Sequence, residues 1–222
     1  MRTVLTPTRV RFGGREGPAG WQFELTGGHP ALDLANTLDG RPTAAPRELL
    51  PDYAALVRWS AQGRVIPDSL ARRLEHEAAQ RSAAAEACLR KARALREALF
   101  ALFRAVAKGR KLPARELAAL NAALPEALSR MRLQPVAQAR VEWTFEHPQA
   151  ALDAMLPPVV KAAADLLASP RRERVRCCEG TGCAWLFLDE SRNRSRRWCD
   201  MTVCGNRAKA RRHRARLRTA QG

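Results

Sequence analysis

The chain has 222 residues, of which 46% are hydrophobic, and its 39 Lys and Arg against 22 Asp and Glu give a formal net charge of +17 at pH 7. This composition is typical of one or two soluble domains, and no apolar run approaches the roughly 18 residues that a membrane span requires. The N-terminus also lacks the apolar core of a secretory signal. We therefore expect a cytoplasmic protein with an anionic partner and no membrane contact.

The N-terminal part of the chain predicts little regular structure. Residues 1–20 are rich in Gly and Thr and are expected to form a flexible arm. Residues 21–25 alternate between apolar and polar side chains, which predicts a short strand. Residues 29–38 predict a short helix with a polar edge, and on that edge Asp33 and Asn36 are candidate contacts for a small-molecule ligand. The alternative is that both side chains cap or bridge neighbouring loops.

Apolar residues at helical spacing, with proline, aspartate and glycine at the ends, predict five further helices. These run from Asp52 to Gly63, from Pro67 through Leu74, from Ser82 to Lys108, from Pro113 to Pro125 and from Pro157 to Ser169. The helix from Ser82 has the strongest periodicity and is expected to be the central helix of the domain.

Two alternating segments, residues 131–136 and 141–145, predict a β-hairpin that could pair with the strand at Trp21. The expected fold class is therefore α+β. A mainly helical N-terminal domain with a small antiparallel sheet spans residues 21–169, and a separate C-terminal segment spans residues 170–222.

No group of residues resembles a catalytic site. The four histidines are scattered, Cys88 is expected to be a buried thiol, and phosphate-binding or nucleophile motifs are missing from the sequence. We therefore do not expect an enzyme.

Five of the six cysteines lie in the C-terminal segment, and Cys178, Cys183, Cys199 and Cys204 have the spacing C-x4-C-x15-C-x4-C. Two short chelating loops joined by a longer linker are typical of a structural zinc site with four thiolate ligands. Four cysteines leave no open coordination position for hydrolytic chemistry. The sequence thus predicts one structural Zn²⁺ per chain.

Two alternatives remain open at this point. Cys177 could replace Cys178 as the first ligand, although only Cys178 gives chelating loops of equal length. The four cysteines could also form two disulfides, which would require an oxidising compartment. A finger with so small a core should depend on its metal, so we expect zinc removal to unfold the C-terminal segment and spare the N-terminal helices.

The segment from about Arg174 to Arg214 resembles the CGNR zinc finger of bacterial proteins. The name-giving tetrapeptide is residues 204–207, and the resemblance includes Trp185, Phe187, Asp189, Ser191, Arg192, Asn193 and the block at residues 196–199. The stretches at residues 32–42 and 49–59 are similar to the ABATE domain that accompanies such fingers. This resemblance implies a stress-related transcription regulator whose N-terminal domain senses a ligand.

The C-terminal segment holds 15 Lys and Arg against 5 Asp and Glu, a net charge of 15 − 5 = +10. Asp200 is expected to cap a basic helix that starts near Met201. Guanidinium groups on a metal-pinned loop and helix suit phosphate oxygens and guanine edges, which indicates double-stranded DNA. RNA, an acidic protein surface and a merely solvated tail are the alternatives. The candidate nucleic-acid contacts are Arg192, Arg194, Arg196, Arg197, Arg207, Lys209, Arg211, Arg212 and Arg214, of which Arg196 or Arg207 could instead brace the finger.

Overall fold

A computed structural model describes residues 13–17, 20–147 and 151–219. In chain order the elements are strands β1 (Gly14–Gly17) and β2 (Gly20–Phe23), helix α1 (Pro30–Ala35), strands β3 (Leu38–Asp39) and β4 (Arg47–Glu48), helices α2 (Tyr53–Gln62), α3 (Asp68–Gln80), α4 (Ser82–Ala107) and α5 (Ala114–Ser129), strands β5 (Met131–Ala137) and β6 (Arg140–Phe145), helix α6 (Leu156–Ala168), a 3₁₀ turn (Pro170–Arg174), strands β7 (Val175–Cys177) and β8 (Leu186–Leu188), a π-helical turn (Met201–Gly205) and helix α7 (Asn206–Thr219). The α+β fold class is confirmed.

Helix α4 is the centre of the N-terminal domain, as its periodicity predicts. It is 26 residues long, and Leu99, Leu102 and Phe103 are fully buried among the other helices. Helix α2 begins at the predicted cap, where Asp52 Oδ1 accepts a hydrogen bond of 2.7 Å from the backbone N–H of Ala55. Among the described residues, every helix is too short or too polar to cross a bilayer.

Helix α5 does not stop at Pro125, contrary to the prediction, and continues to Ser129. A proline inside a helix removes one backbone hydrogen bond and costs roughly 3 kcal/mol. Contacts beyond the proline offset this cost, because Ala127 is buried and Arg130 bonds Asp153 Oδ1 at 2.8 Å. Packing of this last turn therefore overrides the local signal.

The predicted hairpin is confirmed as β5 and β6, but it does not pair with the strand at Trp21. The described strands make four separate two-stranded antiparallel ladders, and β2 pairs with β1 rather than with the β5–β6 hairpin. Part of the predicted arm, Gly14–Gly17, is thus a strand, while residues 1–12 of that arm lie outside the described residues. The backbone N–H and C=O of Phe23 in β2 bond the side-chain amide of Gln62 in α2, which fixes β2 against the helices.

The C-terminal segment packs directly on the N-terminal domain. Val175, Leu186 and Leu188, from strands β7 and β8, are buried in the same apolar core as α1, α4 and α6. The backbone N–H of Leu188 also donates to the carbonyl oxygen of Gly27 at 2.9 Å. Strands β7 and β8, which flank Cys178 and Cys183, are therefore held by the N-terminal core.

Candidate metal centre and its basic surface

The four predicted ligands converge at one point. The Sγ atoms of Cys178, Cys183, Cys199 and Cys204 all lie within 4.8 Å of one another, and all four residues are buried. Cys199 Sγ is 3.6 Å from Cys183 Sγ and 3.8 Å from Cys204 Sγ. Thiolates at 2.3 Å from one tetrahedral zinc ion would be about 3.8 Å apart, whereas a disulfide bond is about 2.05 Å long. The geometry fits one structural zinc ion and excludes two disulfides.

The first chelating loop leaves strand β7 and turns tightly at Gly180. The N–H of Gly180 points to Cys178 Sγ at 3.4 Å, and its carbonyl accepts from the N–H of Cys183 at 3.0 Å. A Cβ atom on Gly180 would lie 2.8 Å from Cys204 Sγ and 3.3 Å from Cys178 Sγ. Only glycine leaves room for the thiolates at this position.

The second chelating loop is held by the predicted cap. Asp200 Oδ1 accepts hydrogen bonds from the N–H of Val203 at 2.8 Å and the hydroxyl of Thr202 at 2.6 Å. The chain then makes a π-helical turn that carries Cys204 and continues as α7. The zinc ligand Cys204 is therefore joined rigidly to the start of the basic helix.

Cys177 is not a ligand. It lies in strand β7, where successive side chains point to opposite faces, so that Cys178 faces the other three ligands. Cys177 Sγ instead lies 3.6 Å from the carbonyl oxygen of Ala184, and burial raises the pKa of its thiol. The choice of Cys178 is confirmed.

The loop between β8 and Cys199 is folded around the buried carboxylate of Asp189. One oxygen accepts from the N–H of Ser191 at 3.0 Å and from its hydroxyl at 2.5 Å. The other accepts from the N–H of Arg196 at 3.0 Å. Because a buried charge needs such partners, Asp189 fixes the course of this arginine-rich loop.

Arg196 has an internal role, which is the alternative to nucleic-acid contact noted above. Its Nε donates to the carbonyl of Trp198 at 2.9 Å, and its Nη2 bonds the carbonyl of Cys199. The guanidinium also lies 4.5 Å from the centre of the Phe187 ring. Arg196 therefore braces the zinc loop, and its contact to a base is not supported.

The remaining basic residues of the loop face solvent. Arg192 and Arg194 are exposed, and Arg194 has a positive φ of 49° that turns the chain at the tip. Arg197 is exposed as well and forms an ion pair with Glu179. An exposed ion pair contributes little to stability, so Arg197 can exchange this partner for another anion.

Helix α7 contains more Lys and Arg than any other described helix. It has 14 residues, none of them buried, and contains seven Lys and Arg with no Asp or Glu. The helix holds the predicted contacts Arg207, Lys209, Arg211, Arg212 and Arg214, and continues with Arg216 and Arg218. Because none of its described residues is buried, core packing does not account for this helix.

Of the two candidate ligand residues, Asp33 lines the cavity described below and Asn36 does not. Asn36 is buried, its Nδ2 donates to the carbonyl of Leu186 at 2.9 Å, and its Oδ1 accepts from the N–H of Leu186 at 2.8 Å. The amide thus pairs with strand β8 as a neighbouring strand would. Ligand binding by Asn36 is not supported, and its role in bridging the two parts of the chain replaces it.

Asp33 lines a cavity of about 280 Å³ between α1, α2 and the loop before α1. Burial raises the pKa of its carboxyl to about 6, and its Oδ1 accepts from the N–H of Gly27 at 2.8 Å. In the described part of the molecule, the buried atoms His29 Nδ1 and Trp59 Nε1 have no hydrogen-bond partner, and both residues line the same cavity. Ligand binding by Asp33 stays a prediction.

Sequence reasoning missed the pair Asp39 and Trp185. The indole Nε1 of Trp185 donates to Asp39 Oδ1 at 2.8 Å, and both residues are buried. These residues are 146 positions apart, so no local pattern reveals the contact. The one signal in the sequence is Trp185 itself, because a buried tryptophan usually needs a hydrogen-bond acceptor for its indole N–H.

Comparison with known proteins agrees with this geometry. The sequence model of the ABATE family, described as a "putative stress-induced transcription regulator", matches residues 28–170. The model of the CGNR zinc finger matches residues 174–217, which include all four zinc ligands and most of α7. No curated protein matches the sequence. Because the first match covers more than half of the 222 residues, the chain belongs to the ABATE family and carries a CGNR zinc finger that binds one structural zinc ion.

Proposed function

We propose that the protein is a non-catalytic transcription regulator that binds double-stranded DNA through α7 and the loop at residues 191–197. The observation that carries this proposal is the zinc-anchored helix α7, with seven Lys and Arg, no acidic residue and no buried residue. Phosphate groups are suitable partners for these guanidinium and ammonium groups. The family description as a transcription regulator supports the same function.

The zinc site determines how firmly these arginines are held. Cys204 lies in the π-helical turn directly before α7, and the Asp189 carboxylate orders the loop that carries Arg192 and Arg194. Helix α7 and the loop with Arg192 and Arg194 therefore both extend from the rigid structure around the zinc site. Arginine side chains held in this way can contact phosphates on both sides of a groove and present guanidinium groups to base edges.

Duplex DNA is favoured over single strands because the finger has few exposed rings for base stacking. Trp185 and Phe187 are buried, and Trp198 is partly buried. Proteins that bind single-stranded nucleic acid usually present aromatic side chains to the bases. Binding to RNA, or to an acidic protein surface, would be the alternative outcome of the test below.

The test measures the affinity of the zinc-loaded chain for duplex DNA, single-stranded DNA and RNA by fluorescence anisotropy over a series of salt concentrations. With about 4 to 8 phosphate contacts, log K should fall with log salt at a slope of roughly −4 to −7. Arg211→Ala with Arg214→Ala should reduce the slope by about one unit per lost contact.

The matched control removes two exposed charges elsewhere, Arg110→Ala with Lys111→Ala. This double variant should bind as the parent does if contact is confined to the finger. Equal losses for both double variants would indicate attraction by net charge alone, and absence of binding to duplex DNA at low salt would contradict the proposal.

We further propose that the N-terminal domain senses a small polar molecule in the cavity beside Asp33. The cavity combines a buried indole donor, an imidazole and a carboxylate, and burial lowers the pKa of His29 to about 4, so that its ring is neutral at pH 7. A ligand with a hydrogen-bond acceptor and an amino or amide group would satisfy Trp59 Nε1 and Asp33 together.

This cavity is linked to the finger through one residue, Gly27. Gly27 donates its N–H to Asp33 Oδ1 at 2.8 Å and accepts the N–H of Leu188 in strand β8 at 2.9 Å. Strand β8 leads directly into Asp189, which orders the basic loop. A ligand that moves Asp33 would thereby reach the proposed DNA surface.

A thermal-shift screen of small amines, amides and amino acids tests this second proposal, because a ligand that binds only the folded state raises the melting temperature. Trp59→Phe should abolish the shift. Trp21→Phe is the matched control, since Trp21 Nε1 is also buried without a partner but Trp21 does not line the cavity. Hits that survive Trp59→Phe and Asp33→Asn would rule out this cavity.

A further inference from the structure

The β5–β6 hairpin has an apolar face that no described part of the chain covers. Three directly opposed pairs form this face: Met131 with Phe145, Leu133 with Trp143, and Pro135 with Val141. Every residue from 132 to 143 is exposed, and Trp143, Leu133 and Val141 have exposed fractions of 64%, 56% and 55%. A contiguous exposed apolar surface of this kind marks an interaction site.

The hairpin also lacks the packing that an isolated ladder needs. Two-stranded hairpins are at best marginally stable in water unless a further layer covers one face. The described structure supplies such a layer only near the base, where Met131, Thr144 and Phe145 are half-buried. A partner on the apolar face would provide the missing layer.

The charge of the hairpin restricts what this partner can be. Residues 131–146 contain two Arg and two Glu, a net charge of zero in a chain of +17. These charges are already paired, Arg132 with Glu146 at 2.7 Å and Arg140 with Glu142 at 2.7 Å. The surface therefore offers no attraction to an acidic or basic partner. Two strongly positive chains can, however, meet at this surface without repulsion between like charges.

The strand edges favour contact through the face rather than through backbone pairing. Strand β5 contains Pro135 and an irregular register between Pro135 and Ala137. Proline and bulges are features that prevent an edge strand from pairing with another chain. The side chains on the apolar face carry no such obstacle.

We propose that the apolar face of this hairpin packs against the same face of a second copy, which forms a two-fold symmetric dimer. In a two-fold dimer both copies use the same surface patch, and an apolar patch without net charge can pack against itself. The three residue pairs form a smaller surface than the roughly 800 Å² per partner of a standard interface. The expected dimer is consequently weak, with a Kd in the micromolar range.

The test is sedimentation equilibrium of the full zinc-loaded chain, whose single-chain mass is 24.6 kDa. The mass should rise toward twice this value with increasing protein concentration. The affinity of the dimer should not fall as salt increases, because the two chains carry like charge and salt screens their repulsion. Leu133→Lys should weaken the dimer at least tenfold. Gln134→Lys, an equal charge change on the opposite face of the same strand, should leave it intact.

Far-UV circular dichroism and zinc content show whether each variant retains its fold. Trp143→Ser is a second test variant, which removes apolar surface without adding charge and should also weaken the dimer. A chain that stays monomeric up to about 100 µM, far above a micromolar Kd, would overturn the proposal, even if the hairpin then bound vesicles or another protein. Equal dimerisation by Leu133→Lys and Gln134→Lys would overturn it as well.

Discussion

The replacement Asn36→Ala should destabilise the whole protein, because Asn36 joins the zinc finger to the N-terminal domain. The side chain makes two buried hydrogen bonds, of 2.9 and 2.8 Å, with the carbonyl and N–H of Leu186. Its removal leaves both backbone groups buried without a partner. Each such group costs about 1–3 kcal/mol, so the free energy of unfolding should fall by about 2–6 kcal/mol.

Urea denaturation of the zinc-loaded protein measures this change, and the melting temperature should fall by several degrees, at about 2–4 °C per kcal/mol for a chain of this size. Asn36→Asp is the informative companion, because its carboxyl group keeps an acceptor for the N–H of Leu186 and, when protonated, also keeps an O–H donor for the carbonyl. It should therefore lose less stability than Asn36→Ala at a pH where this carboxyl is protonated. A loss below about 0.5 kcal/mol for Asn36→Ala, typical of a surface substitution, would refute the structural role and restore the ligand-binding hypothesis.

Three further predictions concern the finger and the cavity. Gly180→Ala should weaken zinc affinity in competition with a chelator, because the added Cβ would lie 2.8 Å from Cys204 Sγ; unchanged affinity would refute the close packing. Arg196→Ala should lower the melting temperature of the protein, whereas the exposed Arg192→Ala should weaken DNA binding without loss of stability; the opposite pattern would reverse their roles. For Asp33, burial raises the folded-state pKa to about 6, so the stability that its protonated form contributes is present at low pH and is lost as pH rises through 6. Asp33→Asn should therefore gain stability relative to the parent at pH 7.5 but not at pH 4, and an equal effect at both pH values would contradict the buried environment.

The zinc ligands could be predicted from the sequence because chelation imposes a short, regular spacing. The identity of the first ligand followed from loop length and agrees with the alternation of side chains along β7, which turns Cys177 away. The central helix α4 was equally predictable, since its apolar spacing extends over 26 residues. In both cases the determinants are close together in the chain.

The contacts between the two parts of the chain could not be predicted. Asn36 meets Leu186 across 150 positions, and a polar residue on a short helix looks the same whether it faces a ligand or a buried strand. The continuation of α5 past Pro125 is accompanied by the burial of Ala127 and by the Arg130–Asp153 ion pair, which are also tertiary contacts. Local signals therefore identified the elements and failed where packing decided.

The shared core changes what zinc removal should do. Sequence alone led us to expect that chelation would unfold the C-terminal segment and spare the N-terminal helices. Leu186 and Leu188 lie in the main core, however, and Trp185 bonds Asp39. Structural zinc contributes on the order of 10 kcal/mol to small metal domains. We now expect chelation to lower the melting temperature of the N-terminal domain as well.

The most direct test of the central claim, that zinc holds α7 in place to bind DNA, is duplex binding measured together with zinc content. The parent and Cys177→Ser should each hold one zinc ion per chain and bind duplex DNA in a salt-dependent manner. Cys204→Ser should lose the metal and most of this affinity, although it retains every basic residue. A zinc-free Cys204→Ser chain that binds duplex DNA as tightly as the parent would contradict the account.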